Sequence, residues 1–281
     1  MKANFSNTIT SSFLLYLDHR IVDKGDGYSN VGSNFYPVSG IYQDKYTYAA
    51  PYKQLINDNS IGNATKFSGI YLNNNLITPG TSGFIGIDHY NGQLLFSSGL
   101  SSPTISGNYS VKDFNLYTTD KSEETLLFLT KIEQRPRLPQ TARGLAPNEI
   151  TYPAIFLRMD DTTNDPFAFG GTDMTKFSYR AIVMANSMYN LDSACGILRD
   201  SSHNFFRTID NSSLHLNAFG CSTGQLFNYT GAATGEPIYI SNVAVKKVQA
   251  MNSADFVNLN PNVYSAFVDF ELEAIRDPHS S

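Results

Sequence analysis

Residues 66–117 read KFSGIYLNNNLITPGTSGFIGIDHYNGQLLFSSGLSSPTISGNYSVKDFNLY, and they form the clearest structural unit of the sequence. Short apolar runs alternate with Gly, Asn and Pro, which is typical of short strands joined by turns. Asn91 and Gly92 lie between IGID and LLF, and Asn-Gly tolerates the positive φ that both central residues of a type I′ hairpin turn need. The stretch therefore predicts a small antiparallel module of four to five strands around this hairpin.

The C-terminal third contains a helical pattern. Four apolar residues of MYNLDSACGILRD (188–200) recur at i, i+3, i+4 and i+7 on one face of a helix: Leu191, Ala194, Cys195 and Leu198. Ser187 and Asn190 are both available to cap the start of that helix. The position of Cys195 on the apolar face predicts a buried thiol that behaves as a small hydrophobic residue.

Long strands surround this helical pattern. TYPAIFLRMD (151–160) and KFSYRAIVMA (176–185) are rich in β-branched and aromatic residues. EPIYISNVAVKKVQAM (236–251) and VYSAFVDFELEAIR (263–276) alternate apolar and polar residues, which predicts two antiparallel neighbouring strands. The C-terminal part is therefore predicted to be a helix packed on a sheet.

The N-terminal part combines a helix with an aromatic stretch. Residues 5–22 carry an apolar stripe at four-residue intervals, which predicts a helix ended by Gly25 and Gly27. Residues 28–52 follow with little periodicity, so we expect an extended arm that lies on its own domain or on a neighbouring subunit. Six aromatic residues of this arm are candidate partner contacts: Tyr28, Phe35, Tyr36, Tyr42, Tyr46 and Tyr48.

Two loops are predicted beyond the module, at 131–149 and at 160–173. The first is rich in Pro and polar residues, and the second holds Asp, Asn, Pro and Gly. Four further candidate contacts lie on them: Arg135, Arg137, Phe167 and Phe169. The stretch EETLLFLTKI (123–132) predicts one more strand.

These patterns predict a β-rich α+β fold in three parts. Residues 1–65 form the helix and the aromatic arm, residues 66–119 form the antiparallel module, and residues 120–281 form the α+β domain with its two loops. No internal repeat is evident.

Composition excludes some functions and favours others. The net charge of −5 and the pI of about 5.5 argue against nucleic-acid binding as the main role, because phosphate binding needs clustered Lys and Arg. Only 16% of residues are charged, and a surface poor in Lys and Glu but rich in Tyr and Phe suits protein contacts. An AT-rich genome is an alternative explanation of this composition. No continuous apolar run predicts a secretory leader or a membrane span.

One group of carboxylates is a candidate metal site. The carboxylates Asp160, Asp161, Asp165 and Asp173 are of the type that holds Mg²⁺ or Ca²⁺, but their Asn- and Gly-rich surroundings favour turn capping. The five histidines form no zinc-binding spacing, and no nucleophile elbow, phosphate-binding loop or dinucleotide fingerprint is present. We therefore expect no enzyme activity, no metal and no cofactor.

The hairpin module resembles a pattern of tailed-phage virion proteins. It carries YLNN, a turn at Pro79-Gly80, then GIDHYNGQLLFSS and ISGNYSVKDFNLY. FLLYLDHRIVDKGDGYSNVGSNFYPV (13–38) and AIVMANSMYNLDSACGILRD (181–200) are similar to virion structural proteins of T4-like marine cyanophages. The second segment also resembles the helix-on-sheet core of phage neck and tail-terminator subunits.

This resemblance implies a structural subunit of the virion, at the neck, the tail terminus or the adjacent tail. It implies a homo-oligomeric ring that contacts other virion proteins, assembly in the host cytoplasm, and no catalytic residues. A carbohydrate- or receptor-binding module of a phage tail is the alternative, although the absence of Trp counts against a sugar platform. A hydrolase that uses Asp160, Asp161 and Asp165 with a metal is a weaker third hypothesis.

Overall fold

The computed structural model describes residues 5–42, 45–101, 103–129, 132–133, 143–147, 149–168, 171–216, 223–248 and 263–276. These residues form two large, mainly antiparallel sheets and a few helices, so the predicted β-rich α+β class is confirmed.

The first sheet has seven strands in the order β4-β3-β7-β1-β2-β6-β5. Its strands are β1 (Tyr28–Tyr42), β2 (Lys45–Ala49), β3 (Ile70–Leu72), β4 (Asn75–Ile77), β5 (Phe84–Asp88), β6 (Gln93–Phe96) and β7 (Ile105–Lys112). The first half of β1 pairs with β7 and the second half pairs with β2. Both halves of the sheet contribute to one core, in which Phe35, Tyr48, Phe96 and Tyr109 are buried.

The aromatic stretch is therefore not a separate arm. Residues 28–49 supply the two central strands of the sheet whose other strands come from 70–112. Strand β1 pairs with β7 along its first half and with β2 along its second half. The alternation of apolar and polar residues is interrupted where the partner changes, so the sequence shows little periodicity.

The second sheet has six strands in the order β13-β14-β15-β12-β11-β8. Its strands are β8 (Asn115–Thr118), β11 (Ala154–Ala168), β12 (Thr172–Ala185), β13 (Phe205–Arg207), β14 (Pro237–Val248) and β15 (Tyr264–Arg276). Strand β8 is parallel to β11, and every other pairing is antiparallel. The predicted pairing of the last two long strands is confirmed.

Helices cover one face of the second sheet. They are α1 (Phe5–Asp23) and α2 (Met188–Arg199), and a short α3 (Tyr229–Ala232) lies beside α1. Phe13 of α1 lies 5.1 Å from the ring of Tyr179 and 5.2 Å from the ring of Phe270. The apolar face predicted for α2 is buried as expected, and Ser187 is its N-cap, since its Oγ accepts a hydrogen bond from Asn190 N at 3.2 Å.

The hairpin at Asn91 is present, but its turn is not type I′. Residues 89–92 form a four-residue loop between β5 and β6, and only Gly92 in it has a positive φ, of 64°. The Asp88 carboxylate stabilises this loop instead, since its Oδ1 accepts a hydrogen bond from Asn91 N at 3.1 Å. The two-residue turn with positive φ at both positions is Asn73-Asn74, between β3 and β4.

Two further predictions were wrong. Residues 125–129 form a single π-helical turn that buries Leu126, and only Ile132–Glu133 that follow form a short strand, β9, parallel to β10 (Ile150–Thr151). The predicted 160–173 loop is a long hairpin, with pairs from Asp161–Ser178 to Asp165–Met174. Residues 161–167 are exposed on both faces of the sheet, so they show no apolar alternation and do not read as a strand. Most of the predicted 131–149 loop lies outside the described residues.

Candidate assembly surface

The second face of the six-stranded sheet is only partly covered. Near the start of β11 it packs against a cluster that includes Leu126 and Tyr152. Further along the strands the side chains on this face are half-buried or exposed, and Asn242 and Glu271 are examples. We call this part the open face.

Side chains on the open face form rows across the strands, because cross-strand partners share a face. Phe205 pairs with Tyr239, and Tyr239 pairs with Glu273. Ile275 follows two residues beyond Glu273 on the same face. Phe205 and Ile275 are 62% and 61% exposed. The outer end of the open face therefore presents aromatic and aliphatic surface beside a carboxylate.

A groove of about 1440 Å³ runs along this outer end. The start of α1, the end of β11 and the first residues of β14 border it. Four of its large apolar side chains are exposed: Phe167, Phe205, Tyr239 and Ile275. Contiguous exposed apolar surface of this kind marks contacts with other macromolecules or ligands more often than free surface.

An ion network lies in the middle of the open face. Arg180 Nε lies 2.6 Å from Asp269 Oδ1, and the same guanidinium also binds Glu123. Hydrogen bonds to Asp269 and Glu123 raise the pKa of Arg180 above its usual value. Arg158 extends the network through Asp160 at 2.7 Å. These groups are about three-quarters buried and satisfy one another, so the network fixes β11, β12 and β15 together rather than presenting free charge.

The six-stranded sheet has an open stretch on each side. Strand β8 pairs with β11 only over Ala154–Leu157, and β13 pairs with β14 only over Pro237–Tyr239. Among the described residues, no strand pairs with the outer side of β11 from Arg158 onwards, or of β14 from Ser241 onwards. Backbone N–H and C=O groups along such stretches are available to another strand.

Buried polar contacts join the two sheets. The stretch 223–229 contacts the segment between β2 and β3, where Phe227 N donates to Asn57 O at 3.0 Å. His89 Nδ1 lies 2.7 Å from Gly224 O, and Asn57 Nδ2 lies 3.1 Å from His215 Nε2. Burial lowers the pKa of both His89 and His215. Burial therefore disfavours the charged form of both imidazoles at the junction.

Two potential nucleophiles with shifted pKa values, Lys53 and Cys195, have structural roles. Burial lowers the pKa of Lys53 to about 8, and its Nζ donates to Ala146 O at 2.6 Å, which ties the stretch 143–147 to the first sheet. Burial raises the pKa of the Cys195 thiol to about 11, which keeps it protonated and unreactive. The buried thiol was predicted from the sequence. Cys221 lies outside the described residues.

The candidate contact residues fall into four groups. Phe35 and Tyr48 are 4% and 6% exposed and serve the core of the first sheet, so their prediction as contacts is corrected. Tyr28 and Tyr36 are half-buried, whereas Tyr46 and Phe167 are exposed. Only Phe167 borders the groove. Four candidates have no described side chain: Tyr42, Arg135, Arg137 and Phe169.

The acidic residues of the second predicted loop are spread along a hairpin. Asp160 pairs with Arg158, Asp165 pairs with Lys176 at 2.8 Å, and Asp161 accepts from the backbone N of Thr162. Within the described ranges, no group of three or more His, Cys, Asp or Glu side chains converges as a metal site would. The hairpin geometry therefore gives no support to the metal-assisted hydrolase.

Sequence reasoning missed the three groove residues that lie on strands β13, β14 and β15, namely Phe205, Tyr239 and Ile275. A signal for two of them was present. Tyr239 and Ile275 occupy the polar phase of the alternation in β14 and β15, where an apolar residue points away from the helix-covered core. Phe205 lies on a three-residue strand, which is too short to show a phase.

None of the helices built from the described residues is both long and apolar enough to cross a membrane. No protein-family model matches the chain, and a search of curated proteins found no match.

Proposed function

We propose that the chain is a structural subunit of a tailed-phage virion, at the neck, the tail terminus or the adjacent tail, where copies form an oligomeric ring. The observation that carries the proposal is the six-stranded sheet, which, within the described part of the chain, is open along part of both edges and ends in an exposed apolar groove. A chain that must join others needs surface that its own fold leaves unsatisfied, and this sheet supplies backbone groups and apolar side chains together.

Chemistry elsewhere in the molecule agrees with this proposal. Lys53 and Cys195, whose pKa values are shifted, have structural roles inside the fold. The charges of the Arg180 network are neutralised by one another. The low charged fraction and the many Tyr and Phe residues fit a surface that is covered in the assembled state. The strand–helix resemblance to neck and tail-terminator subunits supports the same location.

The proposal is tested with purified particles of the phage that encodes the chain. Quantitative mass spectrometry is expected to find the chain in the particle at a fixed copy ratio to other neck or tail proteins. Particles assembled without it are expected to lack a complete head-to-tail joint. A chain that is absent from purified particles, or that binds no other virion protein, would contradict the proposal.

The groove gives a matched pair of variants for the same experiment. Ile275→Asp places a charge in the groove and is expected to lower incorporation into particles, because the apolar contact is lost. Leu76→Asp changes an equally exposed aliphatic residue, 62% exposed, on strand β4 of the other sheet. Leu76→Asp is expected to leave incorporation unchanged.

A carbohydrate- or receptor-binding tail module is the second candidate. It is favoured by the row of Phe205, Tyr239 and Glu273, since an aromatic face beside a carboxylate suits a sugar ring. Binding to defined glycans at micromolar strength, lost in Tyr239→Ala, would support this alternative. Absence of glycan binding by a chain that assembles into particles would leave the assembly role.

A further inference from the structure

Opposite charges lie on the two open edges of the six-stranded sheet. The open stretch of β11 carries Asp161 and Asp165 besides the mutually paired Arg158 and Asp160, whereas the open stretch of β14 carries Lys246 and Lys247. The two single aspartates and the two lysines are exposed. Two β11 edges brought together would therefore oppose Asp to Asp, and two β14 edges would oppose Lys to Lys. Only β11 against β14 brings unlike charges together.

Strand direction selects the same combination. Between β14 and β11 lie β15 and β12, and each strand is antiparallel to its neighbour. Three reversals make β14 and β11 run in opposite directions. When a second copy continues the sheet in the same orientation, its β14 lies beside β11 of the first copy as an antiparallel partner, the pairing used throughout this part of the sheet.

Side-chain phase and charge together select the register. Asp161 is the partner of Ser178 and Lys246 is the partner of Phe267, and both pairs lie on the open face with Arg180 and Asp269. Antiparallel pairing keeps a face continuous only if open-face residues oppose one another. Among the registers that satisfy this condition, the one that places Asp161 opposite Lys246 brings unlike charges together, and it sets Thr163 opposite Ala244. This register uses all of β11 from Asp161 to Pro166 against Lys246 to Ser241.

We propose that copies of this chain join head to tail by antiparallel pairing of the β11 edge of one copy with the β14 edge of the next, with Asp161 opposite Lys246. The contact is heterologous, so it repeats around a ring and leaves no edge free when the ring closes. This inference rests on the proposed function and specifies how neighbouring subunits of the ring meet.

Charge exchange tests the contact in the full-length chain. Asp161→Lys and Lys246→Asp are each expected to raise the subunit dissociation constant about tenfold, because each sets like charges opposite one another. The double variant Asp161→Lys/Lys246→Asp restores an unlike pair at every contact and is expected to return to within about threefold of the native value. Lys24→Asp is the matched control, since Lys24 and Lys246 are 70% and 69% exposed and each lies beside one carboxylate.

Cysteine cross-linking tests the register. In an antiparallel pair the Cα atoms of opposed residues lie about 4.5–5.5 Å apart, within reach of a disulfide. Thr163→Cys/Ala244→Cys is expected to give a ladder of covalent oligomers on mild oxidation, and neither single variant is expected to do so. Covalent dimers from one single variant would overturn the head-to-tail contact in favour of like edges.

The outcomes separate the two proposals. An oligomer that tolerates both charge reversals and gives no cross-link would overturn the edge contact and leave the assembly role intact. A chain that stays monomeric at every concentration and is absent from particles would overturn both. Recovery in the double variant together with the ladder would support the edge contact.

Discussion

Gly92 shows how one residue determines a turn and its packing. Its φ of 64° lies in the left-handed region, and a Cβ at this position would collide with the carbonyl oxygen of Tyr52. Only glycine meets both conditions. Position 92 therefore requires glycine, although the turn is not the two-residue type that Asn-Gly predicts. Asn73 and Asn74 meet the type I′ requirement instead, because Asn tolerates the left-handed region better than most residues.

Gly92→Ala is expected to lower the free energy of unfolding by about 2 kcal/mol or more, from the left-handed backbone and the collision. Urea denaturation checks this. Gly86→Ala on β5 is the control, because a Cβ there meets no atom within 4 Å, and it is expected to change stability by less than about 0.5 kcal/mol. Equal stability of the two variants would contradict this account of the turn.

The junction histidines predict a pH dependence. Burial holds the pKa of His89 and of His215 below 6.5 in the folded chain, so the unfolded chain binds more protons as the pH falls below that value. The free energy of unfolding is therefore expected to be higher at pH 7.5 than at pH 5.5. Ordinary carboxylates stay ionised over this range. The midpoint of urea denaturation at the two pH values measures the difference.

Substitution of the histidines identifies the source of that dependence. His89→Gln/His215→Gln removes both titrating groups and is expected to flatten the pH profile. The variant is also expected to be less stable at both pH values, because hydrogen bonds are lost. His203→Gln is the control, since His203 lies on the surface beside Tyr239, away from the junction. A native chain that is equally stable at pH 7.5 and pH 5.5 would contradict the prediction.

Helix α2 is an element that the sequence predicts well. Its apolar residues repeat with the helical period, and all four of them are buried against the sheet. The helix also has a defined cap, in which the side chain of Ser187 accepts from the backbone of Asn190. Local pattern and tertiary packing agree here, so the element can be identified before the fold is known.

Ser187→Ala is expected to destabilise the chain by about 1 kcal/mol, because it leaves a backbone N–H of the first turn without its acceptor. Thermal or urea denaturation measures the loss. Ser193→Ala within the same helix is the control, since the Ser193 hydroxyl donates to Tyr189 O and caps nothing. A loss at Ser193 as large as that at Ser187 would argue against the capping role.

The β11–β12 hairpin is the element that sequence patterns could not reveal. A strand with one face buried alternates visibly, but residues 161–167 have neither face buried within the chain. The Asp, Asn and Pro residues of this stretch are typical of a turn. They are extended because they pair with the long strand β12. The same exposure that hid the strand makes its edge available to another copy.

At the scale of the whole molecule, the fold class and the main strands could be predicted, and the arrangement of the strands could not. The union of residues 28–49 with residues 70–112 in one sheet depends on long-range pairing, which no local period records. The groove and the open edges likewise arise only when β11, β13, β14 and β15 are placed side by side.

In the proposed assembly, other copies of the chain complete this sheet. Native mass spectrometry of the purified protein measures whether the copies associate. We predict one closed oligomer, whose mass is a whole multiple of 31.1 kDa and stays constant over a wide range of concentration. A single species of 31.1 kDa at every concentration would contradict the claim.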